Sequence, residues 1–534
     1  MLRVWLLCLS VSLVGCGDDD APVGPAEPQP TTPMTGMTGD TGTGVVLPTD
    51  CTVLTWQNFG KGFMDTWCNA CHSSSLAGVD RQGAPDGVNF EHLEDVRLWA
   101  ARIDARATPT PPTMPVAGGN TELERQQLKE WLDCGAPGEE LPPPQCSVLS
   151  SAPGAHAFAD QAEADAFCEG SDNAIEGALS LGTGVEVTCL CEVGSVAVDA
   201  AATGHVVLPQ LRHVRGDIEA VGTGLEGLVM ERLEAVDGGL AVRDNAELAS
   251  VDLRVADVIA GDIDVQGNPA LVDLDLSRLL TAGGDVTLVD NDALVDLFPS
   301  TVSLLTVGGD VTLGANAALT DVGFLSLATV GGAIDIYDND ALVELAGFTF
   351  GMGFNEVTIR DHAQLEVLRG FDNARTLESL TISDNPVLLG VTGFVNLGEV
   401  SGTLAFRGGD AFDSFVGLTA LLTVGSLEVD GVAGMRSLDG LDNLATVTGD
   451  LVVRGNTGLE KINGLGVTTI GGSLMVDDND RLDAIVSLFG VDTIGADLVV
   501  TGNALLDPRR VDELVDQIGA EDIGGAVIAY DNGP

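Results

Sequence analysis

Basic residues are scarce in this 534-residue sequence: 24 Lys and Arg stand against 80 Asp and Glu, a formal charge of −56 at pH 7. Holding nucleic acid, or an anionic lipid surface, through charge needs clustered Lys and Arg, so both partner classes are excluded. Aromatic residues are few, at 4% of the chain, although apolar residues reach 45%. The interior must then be built mainly from Val, Leu, Ile and Ala. Ten cysteines are too few to staple a chain of this length throughout. No apolar run beyond the first residues makes a convincing membrane span. No Ser-His-Asp arrangement with a nucleophile elbow and no phosphate-cradling loop is found, and His205, His213 and His362 are scattered. What the chain does have is length, beyond what one ordinary core supports, and 68 glycines. Tight turns between short strands, in several folding units or a repeat array, are expected.

The first residues read as an export signal. Arg3 precedes an apolar run through Trp5, Leu6, Leu7 and Leu13, too short to span a bilayer as a mature helix. The run ends at Leu13-Val14-Gly15-Cys16, which resembles the bacterial lipobox. That resemblance implies removal of residues 1–15, acylation of Cys16 and attachment to a membrane through the lipid. Residues 16–50 are rich in Asp, Pro, Thr and Gly without apolar periodicity, as in a disordered tether. The rest of the chain is expected outside the cytoplasm, as an outer-membrane or cell-surface lipoprotein facing the periplasm or the exterior, where disulfides persist.

Cys68-Asn69-Ala70-Cys71-His72 is the CxxCH pattern of c-type haem attachment. Two thiols three positions apart can form thioethers to the two vinyl groups of one haem, and the adjacent histidine reaches the iron from the same side. A zinc half-site or a disulfide loop is the competing reading, but no second CxxC or nearby Cys/His pair completes a zinc site. Residues 51–138 resemble a class I cytochrome c domain, a small all-α fold. Helices are expected over Trp56–Trp67, from Phe90 to Ile103, and over Glu122–Leu132 after an Asn120 or Thr121 cap. Thr113-Met114-Pro115, after a proline-rich stretch, resembles the family's axial-methionine loop. The resemblance implies one haem c, held by Cys68 and Cys71 with His72 and Met114 as axial ligands. Met64, four residues before Cys68, reads as core; His92 is the competing distal ligand, which would give a lower potential, although a histidine on a helix is more often structural or exposed. A filled sixth position favours electron transfer over oxygen or peroxide chemistry, so an electron carrier is expected, with a haem peroxidase or oxidase as the reading that needs an open position. The acidic surface suits a basic redox protein as partner. Cys51 and Cys134 bracket the domain and are expected to pair.

Residues 139–145 form an acidic, proline-rich linker. Cys146, Cys168, Cys189 and Cys191 follow in a segment, 146–216, expected to cap the next domain with two disulfides, three pairings being open. Cys189-Leu190-Cys191 is expected to alternate on a strand. From 217 to 505 the chain repeats: GGDVTLVDNDALVDL from Gly283, GGAIDIYDNDALVEL from Gly331 and GGSLMVDDNDRLDAI from Gly471. An asparagine recurs at 245, 268, 291, 316, 339, 385, 456, 479 and 503, with His362, Gly409 and Val432 in the missing slots. A fixed period in the twenties with alternating β-branched residues means a solenoid. These repeats, with steps such as Gly440-Leu441-Asp442-Asn443-Leu444, resemble the receptor L-domain family, a leucine-rich-repeat relative. The resemblance implies a right-handed parallel β-helix whose asparagines stack, and a protein or glycan as ligand. The repeated aspartates read as solvated turns more than as calcium ligands, since the Gly-rich nonapeptide of calcium-binding β-rolls is absent. An amphipathic stretch after Asp507 predicts a helical C-terminal cap over 506–534. The whole is thus expected to be multidomain, α then mainly β, with a surface-binding or adhesion protein as the alternative function.

Overall fold

The computed structural model describes residues 54–533, except 74–75, 77–80, 82–83, 85–87, 109–111, 113, 115–120, 137, 139–145, 147, 296–303, 305, 323–328, 347 and 349–354. The expected signal, the lipidated Cys16, the tether and Cys51 lie outside the described residues. The chain divides into two compact units, Met1–Pro142 and Pro143–Pro534. Among the described residues no helix is long and apolar enough to cross a membrane.

The described elements of the first unit are helical. A π-helical turn, Trp56–Gly60, runs into α1 (Lys61–Trp67), which buries Phe63 and Met64. Gly60 lies so close to the Trp131 indole that a Cβ there would overlap it, which fixes glycine at this crossing. The helix expected from Phe90 to Ile103 is instead two, α2 (Leu93–Leu98) and α3 (Ala100–Ala107), broken at the buried Trp99. The last helix, α4 (Glu122–Asp133), starts on a reciprocal cap: the Thr121 hydroxyl accepts the Glu124 N–H, and the Glu124 carboxylate accepts the Thr121 N–H at 2.6 Å. Leu128, Trp131 and Leu132 form its buried stripe.

The second unit is a mainly-β parallel solenoid of about 14 turns. One strand of each coil stacks in register on the next, so that Leu240, Ile263, Val286, Val311 and Ile334 form one inward row. Along each such strand buried and half-exposed residues alternate, as in Leu240–Arg243. The turn that follows explains the repeated Asp-Asn. The residue before the ladder position holds a left-handed backbone, with φ of 58° at Asp244, 56° at Asp290, 52° at Asp338 and 53° at Asp478, and glycine takes the same place at 267, 455 and 502. Asp and Gly are among the few residues that tolerate it.

The next residue turns inward. Asn245, Asn268, Asn291, Asn316 and Asn339 are fully buried, and each Oδ1 accepts the backbone N–H of the residue one coil earlier, at 2.9–3.3 Å. Their Nδ2 groups donate to carbonyls further back, such as Val242 and Val265. Backbone groups that no sheet satisfies are thereby paired inside an apolar core. A second row of aspartates, Asp217, Asp262, Asp285 and Asp310, sits at the solvent-facing Gly-Gly corner and accepts backbone N–H groups of the following coil.

At the N-terminal end, disulfides join Cys146 to Cys191 and Cys168 to Cys189. The second ties α5 (Gln161–Cys168), whose Ala164 is buried, to the turn before the strand Glu192–Val198. Cys189-Leu190-Cys191 lies in and just after that turn, not on a strand, because Leu190 is drawn into the core between the two cysteines. At the other end, α6 (Pro508–Ile518) buries Val511, Leu514 and Ile518. The chain then adds one more strand, Val527–Tyr530, in register on Leu498–Thr501, and Asn532 supplies a further rung through its Oδ1 to the Asn503 N–H. The expected helical cap is therefore a helix inserted before another coil.

Candidate functional site

The CxxCH segment continues the end of α1. Cys68 N–H donates to the Met64 carbonyl, and both Cys71 N–H and His72 N–H return to the Cys68 carbonyl at 3.1 and 3.0 Å. One tight turn therefore presents the two thiols and the imidazole together. Cys68 and Cys71 stand outside any disulfide, whereas Cys134, Cys146, Cys168, Cys189 and Cys191 are disulfide-bonded. Burial, then the neighbouring Cys71, pushes the Cys68 thiol up to about 12, so it stays protonated at neutral pH.

A loop strand brings the partners of His72. Phe90 N–H donates to the His72 carbonyl at 3.0 Å, and the Phe90 ring packs on the imidazole with centroids 4.6 Å apart. Two residues earlier, the Val88 carbonyl lies 3.1 Å from His72 Nδ1. A carbonyl can only accept, so Nδ1 carries the proton and Nε2 keeps its lone pair. Burial holds His72 below the usual histidine value, against the Val88 bond, with the Arg81 charge adding to the lowering. It is thus a neutral imidazole held in one orientation, the form in which a histidine could serve as a metal ligand.

Arg81 closes the loop from inside. It is 2% exposed, and its guanidinium donates to the carbonyls of Ala84, Ser73 and Val88 and to Asn89 Oδ1, at 2.8–3.2 Å. Ser73 donates through its hydroxyl to Glu91. Met114 is half-buried, and its N–H donates to the Arg106 carbonyl at 2.9 Å, which returns its segment to the last turn of α3. Met64 is fully buried within α1 and His92 is exposed at the start of α2. The indole Nε1 of Trp99 is buried and without a hydrogen-bond partner, a donor in an apolar setting. A neutral imidazole protonated at Nδ1 and two thiols outside any disulfide on the same turn are the groups that a haem with its two vinyl groups would need. Arg81, Val88 and Phe90 carry no motif, and sequence reasoning missed them; the only cue was a lone arginine in a glycine-containing loop of a chain poor in basic residues.

The solenoid histidines have separate roles. His213 pairs with Asp237 at 3.0 Å on the surface. The His205 ring fills the space over Gly227, where any side chain would collide with it. His362 occupies an asparagine slot, its Nδ1 accepting the Asn339 N–H at 3.1 Å. Among the described residues no group of three or more His, Cys, Asp or Glu is placed to hold a bare metal ion. Comparison with protein-family models, with curated proteins and with solved structures finds no match.

Proposed function

We propose that this chain is an exported, lipid-anchored c-type cytochrome that carries one electron at a time, with a β-solenoid as binding or scaffold module. The observation that carries the reading is the CxxCH turn with His72 held through Nδ1 to a backbone carbonyl. Cys68 and Cys71 would hold the haem as thioethers, with His72 and Met114 as axial ligands. When bound, the haem supplies a ferric/ferrous couple. The protein's own part is to orient and to exclude water. Val88 fixes the tautomer and direction of His72, Phe90 blocks its rotation, and Phe63, Met64 and Trp99 keep the interior dry. The acidic surface of the chain steers a basic redox protein as the electron partner. The Leu13–Cys16 lipobox supports an outer-membrane or cell-surface location.

The test is spectroscopic. Protein matured in a periplasm with the c-type assembly machinery should show α and Soret bands that survive acid–acetone extraction, and should lose them in Cys68→Ala/Cys71→Ala. A colourless wild-type protein would overturn the reading.

A further inference from the structure

We infer that Arg81 is a positioning residue that sets the electron donation of His72, and so the reduction potential, through a carbonyl oxygen the two side chains share. The inference rests on the haem reading above. Val88 O accepts from His72 Nδ1 at 3.1 Å and from Arg81 Nη2 at 2.8 Å. The shorter bond comes from the cation and is the stronger of the two. A carbonyl polarised toward a guanidinium offers less electron density to a second donor, so the bond from Nδ1–H is weakened. An imidazole whose Nδ1–H bond is weak is a poorer electron donor at Nε2, because outer hydrogen bonds set ligand basicity. A poorer donor favours the ferrous state, and a guanidinium buried to 2% exposure favours it again by its charge. Both effects raise the potential. Arg81 also holds Ser73, the residue after His72, by its carbonyl, and Asn89, the residue after Val88, by its side chain. The fork thus clamps both sides of the shared bond, which a lysine cannot do.

The experiment uses the full haem-bearing chain with Arg81→Gln and Arg81→Lys. Midpoint potentials come from spectroelectrochemistry, and the His72 Nδ1–H resonance from NMR of the reduced, diamagnetic protein. In Arg81→Gln the equilibrium should move about tenfold or more toward the oxidised form, a fall of about 59 mV for one electron. The Nδ1–H resonance should move downfield as its bond to Val88 strengthens. Arg81→Lys should restore part of the potential by its charge and leave the resonance shifted. Haem-loaded variants with unchanged potential and resonance would overturn the inference while leaving the haem reading intact. If Arg81→Gln does not fold, a wild-type resonance in Arg81→Lys overturns it alone. A colourless wild type removes both, and is seen before any variant is made.

Discussion

At position 362 the asparagine ladder carries a ring in place of an amide. A neutral imidazole with its proton on Nε2 reproduces the asparagine pattern: Nδ1 accepts the Asn339 N–H as Oδ1 would, and Nε2 faces the Ile336 carbonyl without closing a good hydrogen bond. The backbone N–H of His362 donates to Asn385 Oδ1 at 3.0 Å, so the row continues through it. Burial holds this histidine below its ordinary value of 6.5, against the Asn339 and Ile336 carbonyls and the charges of Asp338 and Asp361, which all favour the protonated ring. A folded-state value below the unfolded one means that the stabilisation is complete above about pH 6.5 and is lost as pH falls below it. Heating wild type and His362→Asn at pH 7.5 and at pH 5 should therefore give a larger drop in Tm for wild type. Equal drops would show that the ring is not kept neutral. The slot itself was legible in the sequence, since a polar residue recurring inside an apolar period has few other places to go. Asn532 was not legible, because α6 interrupts the period before the last rung.

Among the elements, those with local rules matched their sequence signals. A cap at Asn120 or Thr121 announces α4, of which the structure uses Thr121, and the alternation in Leu240–Arg243 and its counterparts announces strands. What local rules do not reach is which distant segment covers a motif. Val88 to Phe90, which aim His72, come from a loop whose sequence carries no chemistry of its own. The break between α2 and α3 is similar, since Trp99 fits a helical pattern and yields only to the packing of its indole. The stacked phenylalanines 348, 371 and 394, with ring centroids 4.5 and 4.6 Å apart, also escaped notice in a chain poor in aromatics. The four cysteines of the first coils could pair in three ways on paper, and the fold selects one by bringing Cα atoms to 5.6 and 5.4 Å. The bridges close sequence separations of 45 and 21 residues. Replacing Cys168 and Cys189 by Ser should cost about 3 kcal/mol in urea unfolding of the first coils, on a chain-entropy account. Replacing Cys146 and Cys191 should cost slightly more, by under about 1 kcal/mol, because loop closure grows slowly with length. A loss near zero for both pairs would mean that α5 and its neighbours hold without them.

For the whole molecule, the repeat period announced the solenoid, and the acidity found its place in turn and corner aspartates. One irregularity in that period has a larger effect than its two residues suggest. Gly409 and Val432 occupy ladder slots without a side-chain acceptor, so the row of side-chain rungs that runs from Asn245 through His362 to Asn385 resumes only when Val432 N–H donates to Asn456 Oδ1. A small cavity lined by Ser383, Asn385, Phe406, Gly409, Phe412 and Val432 marks the gap, and the rings of Phe406, Phe412 and Phe415 cluster there at 4.7–5.4 Å. In a solenoid each coil is held by its neighbours, so a weaker interface separates cooperative blocks. Hydrogen exchange should show two protection plateaus, one on each side of coil 409, with the Asn385 and Gly409 amides exchanging before the flanking rungs. A single uniform plateau would contradict this. Mechanically, the solenoid is like a zip with one row of teeth missing at Gly409: a pull along its axis should open the turn row there first, while the paired strands Glu399–Arg407 and Thr423–Asp430 beside it still hold.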